Sequence, residues 1–491
     1  MRRTKIVATI GPASWDRDVF AALVDAGLDV ARLNFSHGSH SGHKKTLEMI
    51  RSVSEEKKRH IAVLQDLCGP KVRTGIVAEP EGESFGDEKE RAAKKPQEKL
   101  TLKPGSTVTL ACGEEISRPG RIGISHREVA EESDPGDRIF IHDGLIELQV
   151  LEVKGREIHC EVVVGGDVGS RKGVNLPDAE LKKIPAVTEK DWKDLEWGIA
   201  NKVDYVALSF VRRPEEIRSL QKYIEEKGAS IPVIAKIEKP QALECMDEIV
   251  RTANGVMVAR GDLGVELPPQ QVPLVQKDLI ALAMEHERPV ITATQMLESM
   301  NENKRPTRAE VSDVANAIFD GTDAVMLSGE TASGRYPVEA LKTMADIACA
   351  ADEFIQSKPN YRRREEFAIP DNVGEAIGRA AELIARDLEL KAIFVPDVEG
   401  SRALAAAASR PDAEIYGISW DHSVLRRMAL LWGVTPVYMV RVERGSELIT
   451  QAQELAIEKN IATSEEWIVI MTGSPHDAPG PVNSLRLHQI P

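Results

Sequence analysis

Charged side chains end several short apolar runs in the first two thirds of the sequence. Glu238 closes the run "PVIAKIE", and Asp262 follows "GVMVAR". Carboxylates suit Mg²⁺ or Mn²⁺, because these hard ions bind oxygen and often use only one or two protein carboxylates. Arg32, Arg73 and Lys236 end or follow other runs and suit phosphate or carboxylate oxygens. A divalent ion among converging cations is the arrangement that phosphoryl transfer needs.

Other polar residues lie at the ends of the same kind of run. They are Asn34 and Ser36 after the second run, Asp66 and Lys71 after the third, Arg260 after the sixth, Thr294 after the seventh, and Ser328 and Glu330 after the eighth. Residues i and i+2 of a strand share a face. Three sets are therefore predicted to point together: Arg32 with Asn34 and Ser36, Lys236 with Glu238, and Arg260 with Asp262. Any one of these charges could instead be a rim salt bridge, but that alternative weakens when four run ends share one rim.

Eight apolar runs recur before residue 331, and a longer helical pattern usually follows each. They are "KIVATI", "DVARLNF", "IAVLQDL", "DYVALSF", "PVIAKIE", "GVMVARGDL", "PVITAT" and "AVMLSGE". Short apolar runs that alternate with helices indicate parallel strands with crossovers. Eight such strands predict a (β/α)8 TIM barrel, whose active site lies at the carboxyl ends of the strands. The alternative is an open, doubly wound sheet.

The spacing of the runs also predicts two further domains. Some 135 residues separate the third run from the fourth, and this segment shows β alternation with Gly and Pro turns. We therefore expect a barrel from residues 1–69 and 170–350, an inserted β domain at 70–169, and a C-terminal α/β domain at 351–491. The polar stretch 81–99 is predicted to be a solvated loop, and 357–367 is predicted to be a linker.

Composition excludes several function classes. The formal net charge is −15, which argues against binding of nucleic acid. Five scattered cysteines without metal-type spacing suggest reduced thiols and a cytoplasmic location. The sequence has no run of 18 apolar residues and no signal-peptide pattern, so we expect no association with a membrane.

At these residues the sequence resembles the pyruvate kinase family. The matching segments span nearly the whole chain. They include "TKIVATIGPAS", "DVARLNFSHG", "GPKVRTG", "IHDGLIEL", "KGVNLP", "AKIEKP", "VARGDLGVE", "TATQMLESM", "RPTRAEVSDVANAIFDGTDAVMLSGETA" and "VNSLRLHQI". The resemblance implies a (β/α)8 barrel with an inserted β-barrel lid domain at 70–169 and a C-terminal α/β regulatory domain at 351–491, in a homotetramer. It implies transfer of a phosphoryl group from phosphoenolpyruvate to ADP, which gives pyruvate and ATP as the final step of glycolysis.

The resemblance also implies a role for each matching residue. Glu238 and Asp262 would hold Mg²⁺ or Mn²⁺, Lys236 would stabilise the transferring group and the enolate, and Arg32 and Arg73 would bind phosphates. Substrate contacts would come from Arg32, Lys236, Arg260, Gly261, Asp262 and Thr294, and the Thr294–Ser328–Glu330 region would help deliver a proton. Nucleotide contacts would come from Asn34, Ser36, His37, Arg73 and Lys172 (or Arg171), while Asp143 would lie on the lid.

Two segments depart from the family pattern. Potassium-requiring members have Thr and Lys after the aspartate and Glu after Gly-Pro, whereas this chain has Leu67, Cys68 and Lys71. The Lys71 ammonium would then replace potassium at a site formed with Asn34, Ser36 and Asp66, and potassium would not be required. The C-terminal loop "VPDVEGSRA" carries two acidic residues where sugar-bisphosphate-regulated members have a Thr/Ser-rich phosphate loop. This argues against fructose 1,6-bisphosphate and leaves AMP or a sugar monophosphate open as the effector.

Two alternative functions share part of this pattern. One is a carbon–carbon lyase on the same barrel, which would need the metal carboxylates and an Arg but no lid. The other is a non-enzymatic regulatory or protein-binding relative, which loss of Lys236, Glu238, Asp262 or Thr294 would have favoured. All four residues are present.

Overall fold

The computed structural model describes residues 2–77, 99–358, 372–442, 444–473 and 480–491. Nearly all of the predicted solvated loop 81–99 and most of the predicted linker 357–367 lie outside these ranges. No helix within the described ranges is long and apolar enough to cross a membrane.

All eight predicted runs form parallel strands of one closed barrel. In chain order, barrel strands one to eight are Lys5–Thr9, Val30–Asn34, Ala62–Asp66, Tyr205–Leu208, Val233–Ile237, Gly255–Ala259, Val290–Ala293 and Ala324–Leu327. Each strand pairs with its neighbours in this cyclic order, and strand eight closes on strand one with Lys5 opposite Ala324. The (β/α)8 prediction is therefore confirmed, and the open-sheet alternative is wrong.

Helices surround the barrel between successive strands. They are Arg17–Asp25, His40–Glu56, Glu189–Ala200, Pro214–Glu226, Pro240–Glu244, Met246–Thr252, Arg260–Glu266, Val272–Glu285, Arg308–Asp320, Gly329–Ala332 and Pro337–Ser357, with a 3-10 turn at Glu298–Asn301. Capping residues mark their limits. Thr307 and Glu310 form a capping box at the start of Arg308–Asp320, and Gly321 ends this helix with φ of 104°.

The barrel interior changes from apolar to charged along the second, third and fifth strands. Val30, Leu64 and Ile234 belong to one buried cluster inside the barrel. Two residues later on the same strands, and hence on the same face, stand Arg32, Asp66 and Lys236. The carboxyl end of the barrel therefore presents charge into its own interior, while the middle is packed with hydrocarbon.

The segment inserted after the third barrel strand is an all-β unit with its own apolar core. Its mixed six-stranded sheet runs in the order Val174–Asn175, Arg138–Ile141, Ile146–Lys154, Glu157–Val164, Thr107–Cys112 and Arg121–Ile124. Two small ladders join Lys99–Leu102 to Gly166–Gly169 and Ile76–Val77 to Ile116–Ser117, and a 3-10 turn spans Arg127–Glu132. This unit, which we call the lid, rests on the barrel through a hydrogen bond of 2.8 Å from Asn175 Nδ2 to Glu266 Oε1.

The C-terminal domain is a five-stranded α/β unit. Its sheet runs in the order Val434–Tyr438, Glu414–Ser419, Ala392–Pro396, Trp467–Thr472 and Ser484–Gln489, with only the last strand antiparallel. The helices are Val373–Asp387, Ser401–Ala408, His422–Met428 and Gly445–Glu458. Parallel strands that alternate with helices produce this layered arrangement.

Polar contacts join the C-terminal domain to the amino end of the barrel. The Asp204 carboxylate, which precedes the fourth strand, accepts hydrogen bonds of 2.8 Å from both Arg51 and Arg426. The buried Lys5 ammonium donates to the Val434 carbonyl at 2.7 Å. The C-terminal domain thus covers one end of the barrel and leaves the carboxyl end of the strands to the lid.

Gly198 provides a test of how tightly a barrel helix packs on the third strand. A Cβ at this position would lie 1.9 Å from Gln65 Oε1, and Gln65 is fully buried and donates to the Asp194 carbonyl at 2.7 Å. An ordinary Gly→Ala change within a helix stabilises by about 1 kcal/mol. Here we expect Gly198→Ala to lower the free energy of unfolding by about 1–3 kcal/mol, because overpacking outweighs helix propensity.

Calorimetry of the full-length chain measures this change. Gly42→Ala is the matched control, because a Cβ there meets only Ser39 Oγ at 3.4 Å. A Gly198→Ala protein that melts at or above the temperature of the Gly42→Ala protein would contradict the packing argument.

Candidate active site

Lys236 is the centre of a buried group of charges at the carboxyl end of the barrel. Its ammonium donates to Ser209 Oγ at 2.7 Å and to Asp66 Oδ1 at 3.1 Å, and it lies 3.0 Å from Glu238 Oε1. Burial by itself would lower the pKa of Lys236, but the Asp66 and Glu238 carboxylates outweigh burial and raise it above the ordinary value. Lys236 is therefore a permanent positive charge at neutral pH.

Arg32 completes the pairing of Asp66. Its Nε donates to Asp66 Oδ2 at 2.6 Å, and Nη1 donates to Thr9 Oγ1 at 2.8 Å. Burial acts to raise the pKa of Asp66, but the charges of Lys236 and Arg32 prevail and hold this pKa below its usual range. Asp66 is therefore an ionised carboxylate that orients two cations into the barrel mouth.

Glu238 and Asp262 are the two carboxylates predicted to hold a divalent ion. Burial raises the pKa of Glu238, and repulsion from Asp262 and Asp66 adds to this effect against the opposing attraction of Lys236. Glu238 Oε2 also accepts a hydrogen bond of 2.7 Å from the backbone N–H of Phe210. Asp262 is thus close enough to Glu238 to act on its ionisation.

The donor chemistry of Glu238 and Asp262 fits Mg²⁺ or Mn²⁺. No group of three or more His, Cys, Asp or Glu side chains with metal-binding geometry occurs within the described ranges. Two carboxylates are nevertheless enough for Mg²⁺, which usually keeps several waters and takes its other ligands from substrate oxygens. The repulsion between Glu238 and Asp262 is what a divalent cation would relieve.

Lys71 lies elsewhere than expected. We expected its ammonium beside Asp66, but Nζ donates to Asp262 Oδ1 at 2.8 Å. Arg32 and Lys236 already occupy the two Asp66 oxygens, so Asp262 is the carboxylate that remains for Lys71. The cation is thus part of the site, but at its outer carboxylate.

Arg73 and His37, both predicted to contact the nucleotide, lie within electrostatic reach of each other. Partial burial, followed by the positive charges of Arg73, Arg32 and Lys71, lowers the pKa of His37 below its ordinary value. The exposed His37 ring is therefore close enough to these cations to feel them and is neutral at pH 7. Arg73 Nη1 donates to the carbonyl of Arg171 at 3.3 Å, which places it against the base of the lid.

Backbone hydrogen bonds fix the segments that carry Asn34, Ser36 and Lys172. Asn34 Oδ1 accepts from the Ser36 backbone N–H at 3.0 Å in the turn that follows the second strand. The Lys172 backbone N–H donates to Thr74 Oγ1 at 2.8 Å, which joins the two chain segments that connect the lid to the barrel. The structure brings Lys172 to the lid base beside Arg73, whereas Asn34 and Ser36 stay on the barrel.

Thr294 is held in an uncommon backbone conformation. Its φ is 68°, a left-handed value that is costly for a β-branched residue. Its hydroxyl accepts from the Gly261 backbone N–H at 2.7 Å and donates to the Ala293 carbonyl at 2.6 Å. The turn therefore presents Thr294 beside Gly261, the residue before Asp262.

The predicted pairing of Arg260 with Asp262 is wrong in its geometry. The sixth strand ends at Ala259, and Arg260–Glu266 is a short helix, so these two residues do not share a strand face. The Arg260 guanidinium instead donates to the Asp313 carboxylate at 2.7 Å and to the Thr294 carbonyl at 2.8 Å. It fixes the Thr294 turn.

Glu330 is committed to backbone groups. Its Oε1 accepts from the Leu297 N–H at 3.0 Å, and Oε2 accepts from the Ser328 N–H at 2.7 Å. The buried carboxylate joins the loops after the seventh and eighth strands. Ser328 Oγ is buried without a partner among the described atoms, and it lies on the same loop.

A cleft of about 850 Å³ lies between the lid and the barrel. Residues along it include Lys71, Asp143, Gly261 and Asp262. Asp143 is on the lid side, as expected, and has φ of 56°. The cleft gives small molecules access to Asp262 from solvent.

Two residues of the site were missed from the sequence. Ser209, at the end of the fourth strand, accepts a hydrogen bond from Lys236 and itself donates to the Leu67 carbonyl at 2.7 Å. Thr9, at the end of the first strand, holds Arg32. Both residues lie near the ends of apolar runs, "DYVALSF" and "KIVATI", and this position was the signal available in the sequence. A hydroxyl at a strand end can belong to the site in the same way as a charged side chain.

The C-terminal loop that departs from the family pattern contains a filled anion site. Asp397 is buried, and its Oδ1 accepts from the backbone N–H groups of Glu399 at 3.1 Å and Gly400 at 2.9 Å. Oδ2 accepts from the Ala403 N–H at 2.8 Å, in the first turn of Ser401–Ala408. Backbone donors at a helix N-terminus are a usual phosphate site, and here a carboxylate of the chain occupies them.

Comparison with known families agrees with the fold. The family model described as "Pyruvate kinase, barrel domain" matches residues 1–341, and that described as "Pyruvate kinase, alpha/beta domain" matches residues 375–488. Together the two models cover the barrel with its insert and most of the C-terminal domain.

Curated relatives and a solved structure extend the match to the full chain. Pyruvate kinase of Staphylococcus aureus (strain MRSA252) is 39% identical over 492 residues, which covers 100% of this chain and 81% of the relative. That of Staphylococcus epidermidis (strain ATCC 35984) is also 39% identical, with 100% and 81% covered. A pyruvate kinase structure from Cryptosporidium parvum superposes with a TM-score of 0.88 at 31% identity, covering 100% of this chain and 96% of that one. The chain belongs to the pyruvate kinase family.

Proposed function

We propose that this chain transfers the phosphoryl group of phosphoenolpyruvate to ADP through the group of charges centred on Lys236, with Mg²⁺ or Mn²⁺ and without potassium. Pyruvate kinases use phosphoenolpyruvate and ADP and generally use Mg²⁺ and K⁺. The observation that carries the proposal is the Lys236 ammonium, which is buried against Asp66 and Glu238 at the mouth of the barrel. A carbon–carbon lyase has no use for the lid and the second set of phosphate-binding cations.

Positive charge is the main contribution of the protein to this reaction. Phosphoryl transfer needs positioning and neutralisation of the charge that develops on the oxygens. Lys236 stays protonated at neutral pH, so it acts as a fixed charge beside the transferring group and the enolate. Arg32 and Arg73 bind phosphate oxygens. A divalent ion on Glu238 and Asp262 would supply further neutralisation of phosphate and enolate oxygens when bound.

Proton delivery and substrate orientation fall to the seventh and eighth strands. The Thr294 hydroxyl contacts the pyruvate moiety, and the Gly261 N–H and the Arg260 guanidinium fix the turn that presents it. Glu330 holds Ser328 and the loop after the seventh strand in place. We assign delivery of the proton to the enolate to this region, with Thr294 as the substrate contact.

The nucleotide is assigned to the other side of the site. Asn34, Ser36 and His37 lie on the loop after the second strand, while Arg73 and Lys172 lie at the base of the lid. A nucleotide between them would contact barrel and lid together. The homotetramer and the cytoplasmic location remain predictions from the resemblance and from the cysteine content.

We infer that the reaction does not require potassium, because Lys71 supplies a positive charge at the site. Lys71 brings a tethered ammonium to the carboxylates, and Leu67 offers no hydroxyl as a potassium ligand. With glutamate at position 71 the site would be two unit charges more negative, and a monovalent cation would then be needed to offset them. Tethering removes the entropy cost of recruiting that ion.

A coupled assay tests the proposed reaction directly. Formation of ATP and pyruvate from ADP and phosphoenolpyruvate is followed in the presence of Mg²⁺. A chain that makes pyruvate without ATP, or neither product, would contradict the assignment and favour one of the two alternatives.

Lys236→Met tests the central charge. We expect kcat to fall by about 10²–10³-fold, since this is the usual loss when one group that stabilises developing charge is removed. Binding of Mn²⁺, followed by electron paramagnetic resonance, should persist because Glu238 and Asp262 remain. Circular dichroism serves as the folding control, and a folded variant with wild-type turnover would refute this role for Lys236.

Fructose 1,6-bisphosphate should activate the enzyme weakly or not at all. The Asp397 carboxylate occupies the backbone donors that a phosphate would need, and Glu399 adds a second negative charge. The measurement is the apparent KM for phosphoenolpyruvate with and without this sugar bisphosphate. A clear fall in KM would count against the argument, while AMP or a sugar monophosphate acting at another site would not.

Activity in tetramethylammonium buffer, free of potassium and ammonium, tests the role of Lys71. At matched ionic strength we expect most of the activity to remain. The triple variant Lys71→Glu, Leu67→Thr and Cys68→Lys should instead depend on potassium. The proposal fails if the wild-type enzyme loses activity in this buffer and regains it with potassium, or if the folded triple variant is indifferent to potassium.

A further inference from the structure

Lys71 and Asp262 form an ion pair between the lid and the barrel. The ammonium lies 2.8 Å from Asp262 Oδ1, and both side chains are only partly exposed, at 23% and 27%. Lys71 stands on the segment that leads from the third barrel strand into the lid, and Asp262 stands on the helix Arg260–Glu266. The pair therefore connects the base of the lid to a proposed metal ligand.

The Lys71 side chain is held on two sides in the position that makes this contact. A Cβ on Gly173 would lie 3.2 Å from Lys71 Cε, so the bare glycine backbone closely borders the side chain. The ammonium also lies 5.9 Å from the centre of the Phe210 ring, which is within range of a cation–π contact. Because its stem is confined in this way, Lys71 loses little side-chain entropy on pairing with Asp262.

Lys236, the central cation of the site, contacts groups other than Asp262. Lys236 already contacts Asp66, Glu238 and Ser209. The hydrogen bond that Asp262 receives from a cation comes from Lys71. Asp262 therefore depends on Lys71 for direct neutralisation when no other cation is bound.

We propose that Lys71 is a built-in counter-ion for Asp262 which a divalent metal must displace, and that this exchange couples metal binding to binding of the phosphate-bearing substrate. The inference rests on the proposed function, since that function makes Asp262 a metal ligand. An ammonium and a divalent ion on the same carboxylate oxygen repel each other strongly. The displaced ammonium stays tethered at the cleft, where a substrate anion attracts it.

The coupling has a defined sign. An anion that draws Lys71 away from Asp262 strengthens metal binding, and by linkage the metal strengthens anion binding by the same factor. Lys71 thus weakens metal binding to the free enzyme and restores it when phosphoenolpyruvate is present. It is a positioning residue in this exchange, because it acts through Asp262.

Binding of Mn²⁺ to the full-length chain, measured by electron paramagnetic resonance without ADP, tests this exchange. Titrations are done with and without phosphoenolpyruvate on the wild type, Lys71→Met and Lys71→Arg. Lys183→Met is the matched control, because it removes one positive charge from an exposed ion pair with Glu131 on the lid side of the molecule. Circular dichroism checks folding, and Lys71→Gln replaces Lys71→Met if the latter does not fold.

We expect Lys71→Met to bind Mn²⁺ more tightly than the wild type in the absence of substrate, by at least about fivefold, the lower end of usual coupling between two sites. Phosphoenolpyruvate should strengthen Mn²⁺ binding in the wild type and much less in Lys71→Met. Lys71→Arg and Lys183→Met should resemble the wild type.

The inference is overturned if folded Lys71→Met binds Mn²⁺ no more tightly than the wild type, or if phosphoenolpyruvate strengthens its Mn²⁺ binding to the same degree. These results would leave the proposed reaction intact, since the coupled assay reports on it separately. A wild-type chain that binds no Mn²⁺ would overturn both the metal site and the exchange.

Discussion

A buried ammonium surrounded by carboxylates is the constraint on which the rest of this structure depends. Lys236 contacts Asp66 on the third strand, Ser209 after the fourth and Glu238 after its own. Buried charges are costly unless each is paired and hydrogen-bonded. The pairing works only in the observed register, in which Ala207 lies opposite Asp66. A one-residue slip of the fifth strand would turn Lys236 and Glu238 out of the barrel and remove one of the two cations that pair with Asp66.

This constraint explains how the molecule divides its surfaces. The amino end of the barrel is closed by the C-terminal domain through Asp204 and Lys5, so the charged carboxyl end remains for chemistry. The lid meets that end through polar contacts, such as Asn175 with Glu266 and Lys71 with Asp262. Lid and barrel have separate apolar cores. Opening the cleft would thus break hydrogen bonds and ion pairs without dismantling either core, which suits a site that must admit and release substrates.

Carboxylates of the protein contact side-chain cations at the barrel mouth and backbone N–H groups in the C-terminal domain. At the barrel mouth, Arg32, Lys236 and Lys71 hold carboxylates of the protein in arrangements that substrate phosphates or a metal can join or replace. In the C-terminal domain, Asp397 occupies a ring of backbone donors from within and is buried by it. An internal carboxylate is always present at its site, whereas a soluble phosphate must compete for it. The two places therefore differ in whether the protein's own carboxylate takes up the backbone donors.

The sequence by itself determined the eight strands, the order of the domains and most of the charged groups, because strand periodicity and the residues that end each strand are local properties. It identified Lys236 and Glu238 correctly as a pair, since two positions on one strand share a face. It did not identify Ser209 or Thr9, and it placed Arg260 on a strand and Lys71 beside Asp66. Only the tertiary structure decided these contacts. Lys236 and Asp66 are separated by 170 residues, and they meet because the barrel closes in one register. Which cation then reaches which carboxylate depends on the pairs already formed, and a linear pattern does not contain that competition.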